Sequence, residues 1–176
     1  MKVKVTPSKV HGNVKIPASK SMAHRALICA SLSDGTSIVS NVTNSKDIEA
    51  TIGCMKALGA KIKQLDETTY EVTGTNLFKQ EGNITCNANE SGSTLRFLIP
   101  LAACTNAKVK FLGQGRLLQR PMDVYANEFK EQNIEFNQSD KEIIVSGNLK
   151  AKNYVVQGDI SSQFITGFMF VLPLLN

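Results

Sequence analysis

The 176-residue chain contains no tryptophan, only eleven aromatic residues and no run of five basic residues. Proteins that bind nucleic acid normally show clusters of lysine and arginine together with aromatic side chains that stack on bases. Here twenty Lys and Arg residues stand against fifteen Asp and Glu residues, and the resulting charge of +5 is spread along the chain. This balance favours small anionic ligands, and we expect no nucleic-acid partner.

Signals for secretion and for membrane insertion are also missing. The first ten residues, MKVKVTPSKV, lack the apolar segment of a signal peptide. The most apolar stretch, residues 165–175, is too short to span a bilayer and is interrupted by Pro173. We therefore expect a cytoplasmic protein without a membrane partner. Because a bare apolar end is unusual for a complete domain, we also expect the chain to be incomplete.

The four cysteines form no CxxC pair and have no metal-ligand spacing with either histidine. We predict reduced thiols in or near the core, no metal site and no cofactor. The cysteines are Cys29, Cys54, Cys86 and Cys104.

The chain does contain an internal repeat. A strand-like stretch, a turn of small residues and a helix occur three times at a period of roughly 70 residues. The copies are residues 13–30, 83–101 and 153–170. Arg25 and Arg96 occupy equivalent places in the first two copies, and Gln163 lies in the corresponding region of the third.

Each complete copy continues with a strand, a helix and two further strands. In the first copy we predict strand 37–42, helix 46–58 and strands 60–64 and 69–72. In the second copy we predict strand 108–112, helix 121–132 and strands 134–137 and 142–146. The sequence therefore predicts an α/β fold built of βαβαββ units at about 20–82, 83–152 and 153–176, the last ending in its opening helix.

The first helix of each unit begins with residues that suit an anion. Backbone N–H groups and the helix dipole favour negative charge at such a start, and three converging starts would form an anion pocket. In the first start, Arg25 lies one turn after Ser21 and follows Lys20, so that a hydroxyl and cations can hold one ligand. A capping serine with two solvated cations explains the same residues without a ligand.

The second and third starts offer different groups. Gly92 allows a ligand to approach the backbone closely, and Arg96 follows one turn later. Ser161, Ser162 and Gln163 offer two hydroxyls and an amide, which suit a phosphate or neutral hydroxyl groups. Simple helix capping explains these hydroxyls equally well.

A fourth candidate is Arg120, which we predict immediately before a helix that begins at Pro121. The preceding loop, residues 113–116, contains two glycines, but ordinary turns use glycine constantly and this is a weak indication. We interpret His24 as a helix residue near the site and not as a catalytic base, because no carboxylate is close to it in the sequence.

Four motifs, in this order and spacing, resemble the EPSP synthase family, the 3-phosphoshikimate 1-carboxyvinyltransferases. They are residues 20–25 (KSMAHR), 91–96 (SGSTLR), 120–122 (RPM) and 161–164 (SSQF). The resemblance implies an inside-out α/β barrel fold with two domains, each made of three βαβαββ units, and an active site in the cleft between them. It also implies that residues 1–19 belong to the other domain and that the complete protein is a monomer.

The resemblance further implies a role for each candidate residue. Those implied at shikimate 3-phosphate are Lys20, Ser21, Arg25, Ser161 and Ser162. Those implied at phosphoenolpyruvate are Lys20, Gly92 and Arg120, with Arg96 in support and Gln163 between the two substrates.

The implied reaction transfers the enolpyruvyl group of phosphoenolpyruvate to the 5-hydroxyl of shikimate 3-phosphate. It requires cations around two polyanions together with an acid and a base. Lys20 is expected to act electrostatically, but the family's catalytic carboxylates lie in a later region that has no counterpart here. Glu90 replaces an asparagine of many members and is excluded from the site, because its carboxylate would repel a neighbouring anion.

Other functions remain open at this point. The chain in isolation can be an inactive fragment that binds substrate weakly. A UDP-N-acetylglucosamine enolpyruvyl transferase fits less well, because that family has Lys-Asn in place of Lys20-Ser21 and a reactive cysteine where residues 113–121 have none. A phosphate-binding RNA-processing relative is disfavoured by the lack of a basic, aromatic surface.

Overall fold

The computed structural model describes residues 2–9, 11–14 and 16–175. Within these ranges the chain forms five α-helices and seven β-strands. The helices are α1 (Lys20–Leu32), α2 (Lys46–Ala57), α3 (Gly92–Ala102), α4 (Asp123–Glu131) and α5 (Ser162–Val171). The strands are β1 (Thr36–Val39), β2 (Lys61–Gln64), β3 (Tyr70–Thr73), β4 (Glu81–Asn87), β5 (Asn106–Leu112), β6 (Glu135–Gln138) and β7 (Ile143–Ser146).

The first part of the chain forms an antiparallel sheet in the order β1-β3-β2. Helix α2 follows the predicted pattern, because its apolar face is buried in the core. Its first turn is capped by Ser45, whose hydroxyl oxygen accepts a hydrogen bond from the backbone N–H of Ile48 at 3.3 Å. The residues of the buried face are Ile48, Ile52 and Met55, and Leu58 is buried directly after the end of the helix.

The second part forms a four-stranded sheet in the order β4-β5-β7-β6. The pair β4 and β5 is parallel, with helix α3 as the connection between them, and the remaining pairs are antiparallel. The element order β4-α3-β5-α4-β6-β7 is the predicted βαβαββ unit. The sheet β1-β3-β2 repeats the arrangement of β5-β7-β6, which confirms the repeat between the first two copies.

The strands predicted at the start of the first and third copies are not formed. Residues 13–19 contain no strand, although Lys15 lies outside the described residues, and residues 153–156 are also irregular. A strand needs a hydrogen-bonded neighbour, which β4 has in β5. Here Val14, Ile16 and Val155 are 83–88% exposed, and no described strand pairs with their segments.

Helix α3 is the central helix of the described structure. It is buried on nearly all sides and packs against α2 and α5. Its neighbour α5 begins at Ser162 and buries Phe164 and Phe168 in the core. The starts of these helices therefore lie at the edge of a packed interior.

Three of the cysteines are buried, Cys29 is exposed, and all four are free thiols. Among the described residues, no group of three or more His, Cys, Asp or Glu side chains is arranged to hold a metal ion. None of the helices in the described part of the chain has the length and apolar character needed to cross a bilayer.

Strand β7 provides a test of which sheet face supports the core. Ile143 is fully buried, whereas its neighbour Ile144 points to the other face and is half-buried. We expect Ile143→Val to lower the free energy of unfolding by about 1 kcal/mol and Ile144→Val to lower it by less than half as much. Urea denaturation followed by circular dichroism measures both. Equal losses would contradict the assignment of the buried face.

Candidate functional site

The first turns of four helices are joined by hydrogen bonds. At the start of α1, the Nζ of Lys20 lies 2.5 Å from Oδ2 of Asp47 in α2. The hydroxyl of Thr94 in α3 donates to the carbonyl of Asp47 at 3.3 Å. The amide of Gln163 in α5 donates to the hydroxyl of Ser93 at 2.8 Å. Helix N-termini carry partial positive charge, so this arrangement gathers four positive ends in one region.

Capping serines define all four of these starts, and the cap of α2 is Ser45, described above. The hydroxyl oxygen of Ser19 accepts from the N–H of Met22, that of Ser91 from Thr94, and that of Ser161 from Gln163. The capping explanation is therefore correct for Ser161, although its hydroxyl hydrogen can still be donated to a ligand. Ser162, the first residue of α5, is exposed.

Arg25 lies beside Ser21, as the spacing predicted. Its Nη1 donates to the hydroxyl of Ser21 at 2.6 Å and to the carbonyl of the same residue at 2.8 Å. Its Nη2 donates to the hydroxyl of Thr166 in α5 at 3.5 Å, and the guanidinium lies 5.0 Å from the ring centre of Phe97. The hydroxyl of Thr166 in turn donates to the carbonyl of Ser162, which links the starts of α1 and α5.

Two guanidinium groups lie against Gly92. A methyl group at this position would collide with Nη1 of Arg120 and would lie 3.7 Å from Nη1 of Arg96. The absence of a side chain at position 92 lets both guanidinium groups approach the backbone as they do here. Burial, and then the nearby charge of Arg120, lower the pKa of Arg96 from its ordinary value. An anion between the two side chains would relieve their repulsion.

Arg96 also connects the second and third repeats. Its Nη1 donates to Oε1 of Gln163 at 2.8 Å, and its guanidinium lies 5.2 Å from the ring centre of Phe164. Its Nε is buried and has no hydrogen-bond partner within the described residues. A buried donor without an acceptor is costly, so this atom marks a position where a ligand oxygen would be stabilising.

The position of Arg120 differs from the sequence prediction. Helix α4 begins at Asp123 and not at Pro121, and Arg120 follows a short 3₁₀ turn in extended backbone. The helix starts later because Met122 has non-helical backbone and is buried in the core. The extended backbone of Arg120 agrees with the restriction on a residue before proline, and the amide of Gln138 donates to the carbonyl of Arg120 at 2.9 Å. Glu90, which the sequence excluded from the site, places its carboxylate against Gly115.

His24 lies in α1 and is 1% exposed. Its Nδ1 is 2.7 Å from the hydroxyl of Thr51, which is 2.7 Å from the hydroxyl of Thr94. Burial lowers the pKa of His24 to about 4, although Asp47 opposes the shift. The imidazole is therefore neutral at physiological pH and holds three helices together, which agrees with its interpretation as a helix residue near the site.

Three residues at the site were not identified from the sequence. Asp47, Ser93 and Thr166 contact site residues that are 27, 70 and 141 positions away, respectively. No local motif reports such separations. The repeat itself carried a signal, because Thr166 stands one repeat period after Arg96 and Ser93 one period before Gln163.

The fold and the joined helix starts are those of an α/β repeat protein whose site suits small anions. The family model of EPSP synthase (3-phosphoshikimate 1-carboxyvinyltransferase) matches residues 4–176 of the chain. The chain therefore belongs to the EPSP synthase family.

Similar proteins agree with this assignment. The 3-phosphoshikimate 1-carboxyvinyltransferase of Clostridium perfringens strain SM101 is 48% identical over 99% of this chain and 42% of its own length. That of Clostridium kluyveri is 47% identical over 99% of this chain and 41% of its own length. The chain thus spans about two fifths of the length of these relatives.

A solved structure confirms the predicted fold. The EPSP synthase from Acinetobacter baumannii superposes with a TM-score of 0.76 over 90% of this chain and 38% of that chain, at 20% sequence identity. The predicted enolpyruvyl transferase-like α/β fold is therefore correct for the part of the family fold that this chain covers.

The buried His24 predicts a pH dependence of stability. Because its pKa falls from 6.5 in the unfolded chain to about 4 in the folded chain, the unfolded state binds more protons between these values. Stability is thus full above pH 6.5 and declines as the pH falls towards 4, by up to about 3 kcal/mol. Urea denaturation at a series of pH values measures the decline.

The matched variants are His24→Asn and His11→Asn. His11 is exposed, so its replacement should keep the decline between pH 6.5 and 4, whereas His24→Asn should flatten it. An unchanged slope in His24→Asn would show that His24 is not the group responsible.

Proposed function

We propose that this chain supplies the shikimate 3-phosphate-binding region of an enzyme that transfers the enolpyruvyl group of phosphoenolpyruvate to the 5-hydroxyl of shikimate 3-phosphate. The products are 5-enolpyruvylshikimate 3-phosphate and phosphate, and the step belongs to the shikimate pathway of aromatic amino acid biosynthesis. The observation that carries the proposal is the joining of four helix N-termini beside Lys20, Arg25, Arg96 and Arg120. Family membership supports the choice of substrates.

Shikimate 3-phosphate is proposed to bind between the starts of α1 and α5. Ser21 and Arg25 are already oriented towards each other, so little side-chain entropy is lost when they hold a ligand. Ser161 and Ser162 would hold the 3-phosphate with their hydroxyls and with the N–H groups of the first turn of α5.

Phosphoenolpyruvate is proposed to bind at Gly92. The guanidinium groups of Arg96 and Arg120 flank this glycine and supply donors for a carboxylate or a phosphate. Gln163 is proposed to lie between the two substrates, and its hydrogen bond to Arg96 and its place in the first turn of α5 support this role. Lys20, held by Asp47, would contact both substrates.

The proposed chemistry begins with protonation of the methylene carbon of phosphoenolpyruvate, which makes C2 electrophilic. The 5-hydroxyl then attacks C2 and loses its proton to a base. The tetrahedral intermediate then loses a proton from its methyl group as it expels phosphate, which restores the double bond. Lys20 and the arginines would stabilise the negative charge on the phosphate and carboxylate groups throughout. We propose that the carboxylates acting as acid and base are supplied from outside these 176 residues.

The organisation of the domains is part of the proposal. We propose that residues 1–19 belong to a second domain, which agrees with the exposure of Val3, Val5, Val14 and Ile16. Residues 20–176 would form an incomplete domain with units at about 20–82, 83–152 and 153–176.

We also propose that the complete protein is a monomer and that it is located in the cytoplasm. The free thiols are compatible with a reducing compartment.

A second possibility is that the isolated chain binds substrate but does not turn it over, which is favoured because it spans 42% of its relatives' length. We expect no phosphate release from shikimate 3-phosphate and phosphoenolpyruvate above the rate measured without protein. A phosphate-release assay tests this, with an active EPSP synthase as positive control. Turnover that requires both substrates would overturn the expectation.

Sequencing downstream of position 176 shows whether the reading frame continues.

Substrate binding by the chain is tested with Arg25→Ala and Ser162→Ala. Since a hydrogen bond to a charged group contributes roughly 1.5–3 kcal/mol, Arg25→Ala should weaken shikimate 3-phosphate binding by about tenfold or more in calorimetry. Ser162→Ala should weaken it by a smaller factor. UDP-N-acetylglucosamine should not bind, which separates the proposal from the related enolpyruvyl transferase.

Lys79→Ala is the matched control. It also removes one positive charge, but Lys79 is exposed before the start of β4, at the opposite end of that strand from α3. The affinity of the Lys79→Ala variant for shikimate 3-phosphate should stay within about twofold of that of the wild type. Equal weakening by Arg25→Ala and Lys79→Ala would mean that binding reflects net charge alone.

A further inference from the structure

Helix α3 contains a proline in its interior. Pro100 has no backbone N–H, so it cannot donate the hydrogen bond that the carbonyl of Arg96, four residues earlier, would accept in a regular helix. A buried carbonyl without a donor is destabilising. The carbonyl concerned belongs to the arginine whose side chain lies at the joined helix starts.

A tyrosine from another helix supplies the missing donor. The hydroxyl of Tyr125 in α4 donates to the carbonyl of Arg96 at 2.6 Å, and the same hydroxyl lies 3.2 Å from the carbonyl of Phe164 in α5. Tyr125 is fully buried. Its ring packs edge-on against Phe164 and Phe168, with centroid distances of 5.0 and 5.3 Å.

Gly167 allows α5 to reach this point. A methyl group at position 167 would collide with the hydroxyl of Tyr125 and would lie 2.8 Å from the carbonyl oxygen of Arg96. It would also lie 3.2 Å from the ring of Pro100. The proline, the carbonyl, the hydroxyl and the glycine therefore form one tightly packed contact between α3, α4 and α5.

The same contact leads directly to the site. The backbone of Arg96 is fixed by Tyr125, while its side chain donates to Gln163 and lies over Phe164, which Tyr125 also contacts. A shift of the α3 backbone at Arg96 would thus move both the guanidinium and its amide partner.

We propose that Tyr125 is a positioning residue, whose hydroxyl replaces the N–H that Pro100 lacks and thereby fixes Arg96 against Gln163. Only the consequence for substrate affinity rests on the proposed function; the replacement of the donor does not. Burial raises the pKa of Tyr125 well above its ordinary value, so the hydroxyl stays protonated and remains a donor at physiological pH.

The test is a double-mutant cycle with Tyr125→Phe and Pro100→Ala in the 176-residue chain. Tyr125→Phe leaves the carbonyl of Arg96 without its donor and should lower the urea midpoint. Alanine at position 100 restores a backbone N–H, so Pro100→Ala should be much more stabilising in a chain that already carries Tyr125→Phe than in the wild type. Equal effects of Pro100→Ala in both backgrounds would overturn the proposal.

The position of the Arg96 side chain is measured separately, through the NMR signal of its Nε–H group. Tyr125→Phe should shift this signal, and the double variant should return it towards the wild-type position. Tyr70→Phe is the matched control, because Tyr70 is 4% exposed and donates to Asn44 at 2.8 Å, away from Pro100. It should lower stability without moving the Arg96 signal. If Tyr125→Phe leaves the Nε–H signal of Arg96 at its wild-type position, the positioning role is refuted.

Substrate affinity is the third readout. Tyr125→Phe should weaken phosphoenolpyruvate binding, measured by calorimetry with shikimate 3-phosphate present, by about tenfold, and the double variant should recover to within about threefold of wild type. If the wild type itself does not bind, the proposed function of the chain fails, while the stability cycle and the NMR signal still decide the role of Tyr125. If Tyr125→Phe does not fold, the double variant must fold, and failure of both would refute the proposal.

Discussion

The structure depends on holding positive helix ends close together. Four helix N-termini and several cationic side chains repel one another at short distance, and more strongly where solvent is excluded. Asp47 counters this repulsion from within, because its carboxylate pairs with Lys20 and its backbone carbonyl accepts from Thr94. The ion pair is half exposed and adds little stability by itself, so its main effect is to orient Lys20.

Buried hydroxyl groups support the same arrangement from the core side. His24, Thr51 and Thr94 form a chain of short contacts through α1, α2 and α3, and the apolar surface of α3 surrounds it. Such a chain is stabilising only when nearly all of its groups are paired, which makes the relative positions of the helices specific. The side chains at the surface of the site are therefore supported by groups buried beneath them.

The helices and most strands could be predicted because their signals are local. The apolar spacing of α2 and the repeated order of the second unit depend on neighbouring residues in the sequence. The strands expected at the start of the first and third copies could not be decided in this way, because a strand depends on a partner elsewhere. The motifs likewise located Arg25, Arg96 and Gln163, whereas Asp47, Thr166 and Tyr125 emerged only from long-range contacts.

The hydrogen bond between Arg25 and Thr166 joins two helices that are related by the repeat. Arg25 and Arg96 are equivalent in the first two copies, and Thr166 occupies the matching place in the third. Three places that the repeat makes equivalent therefore differ in charge, since two carry a guanidinium group and the third a neutral hydroxyl. The site is chemically asymmetric although the helices around it are related by the repeat.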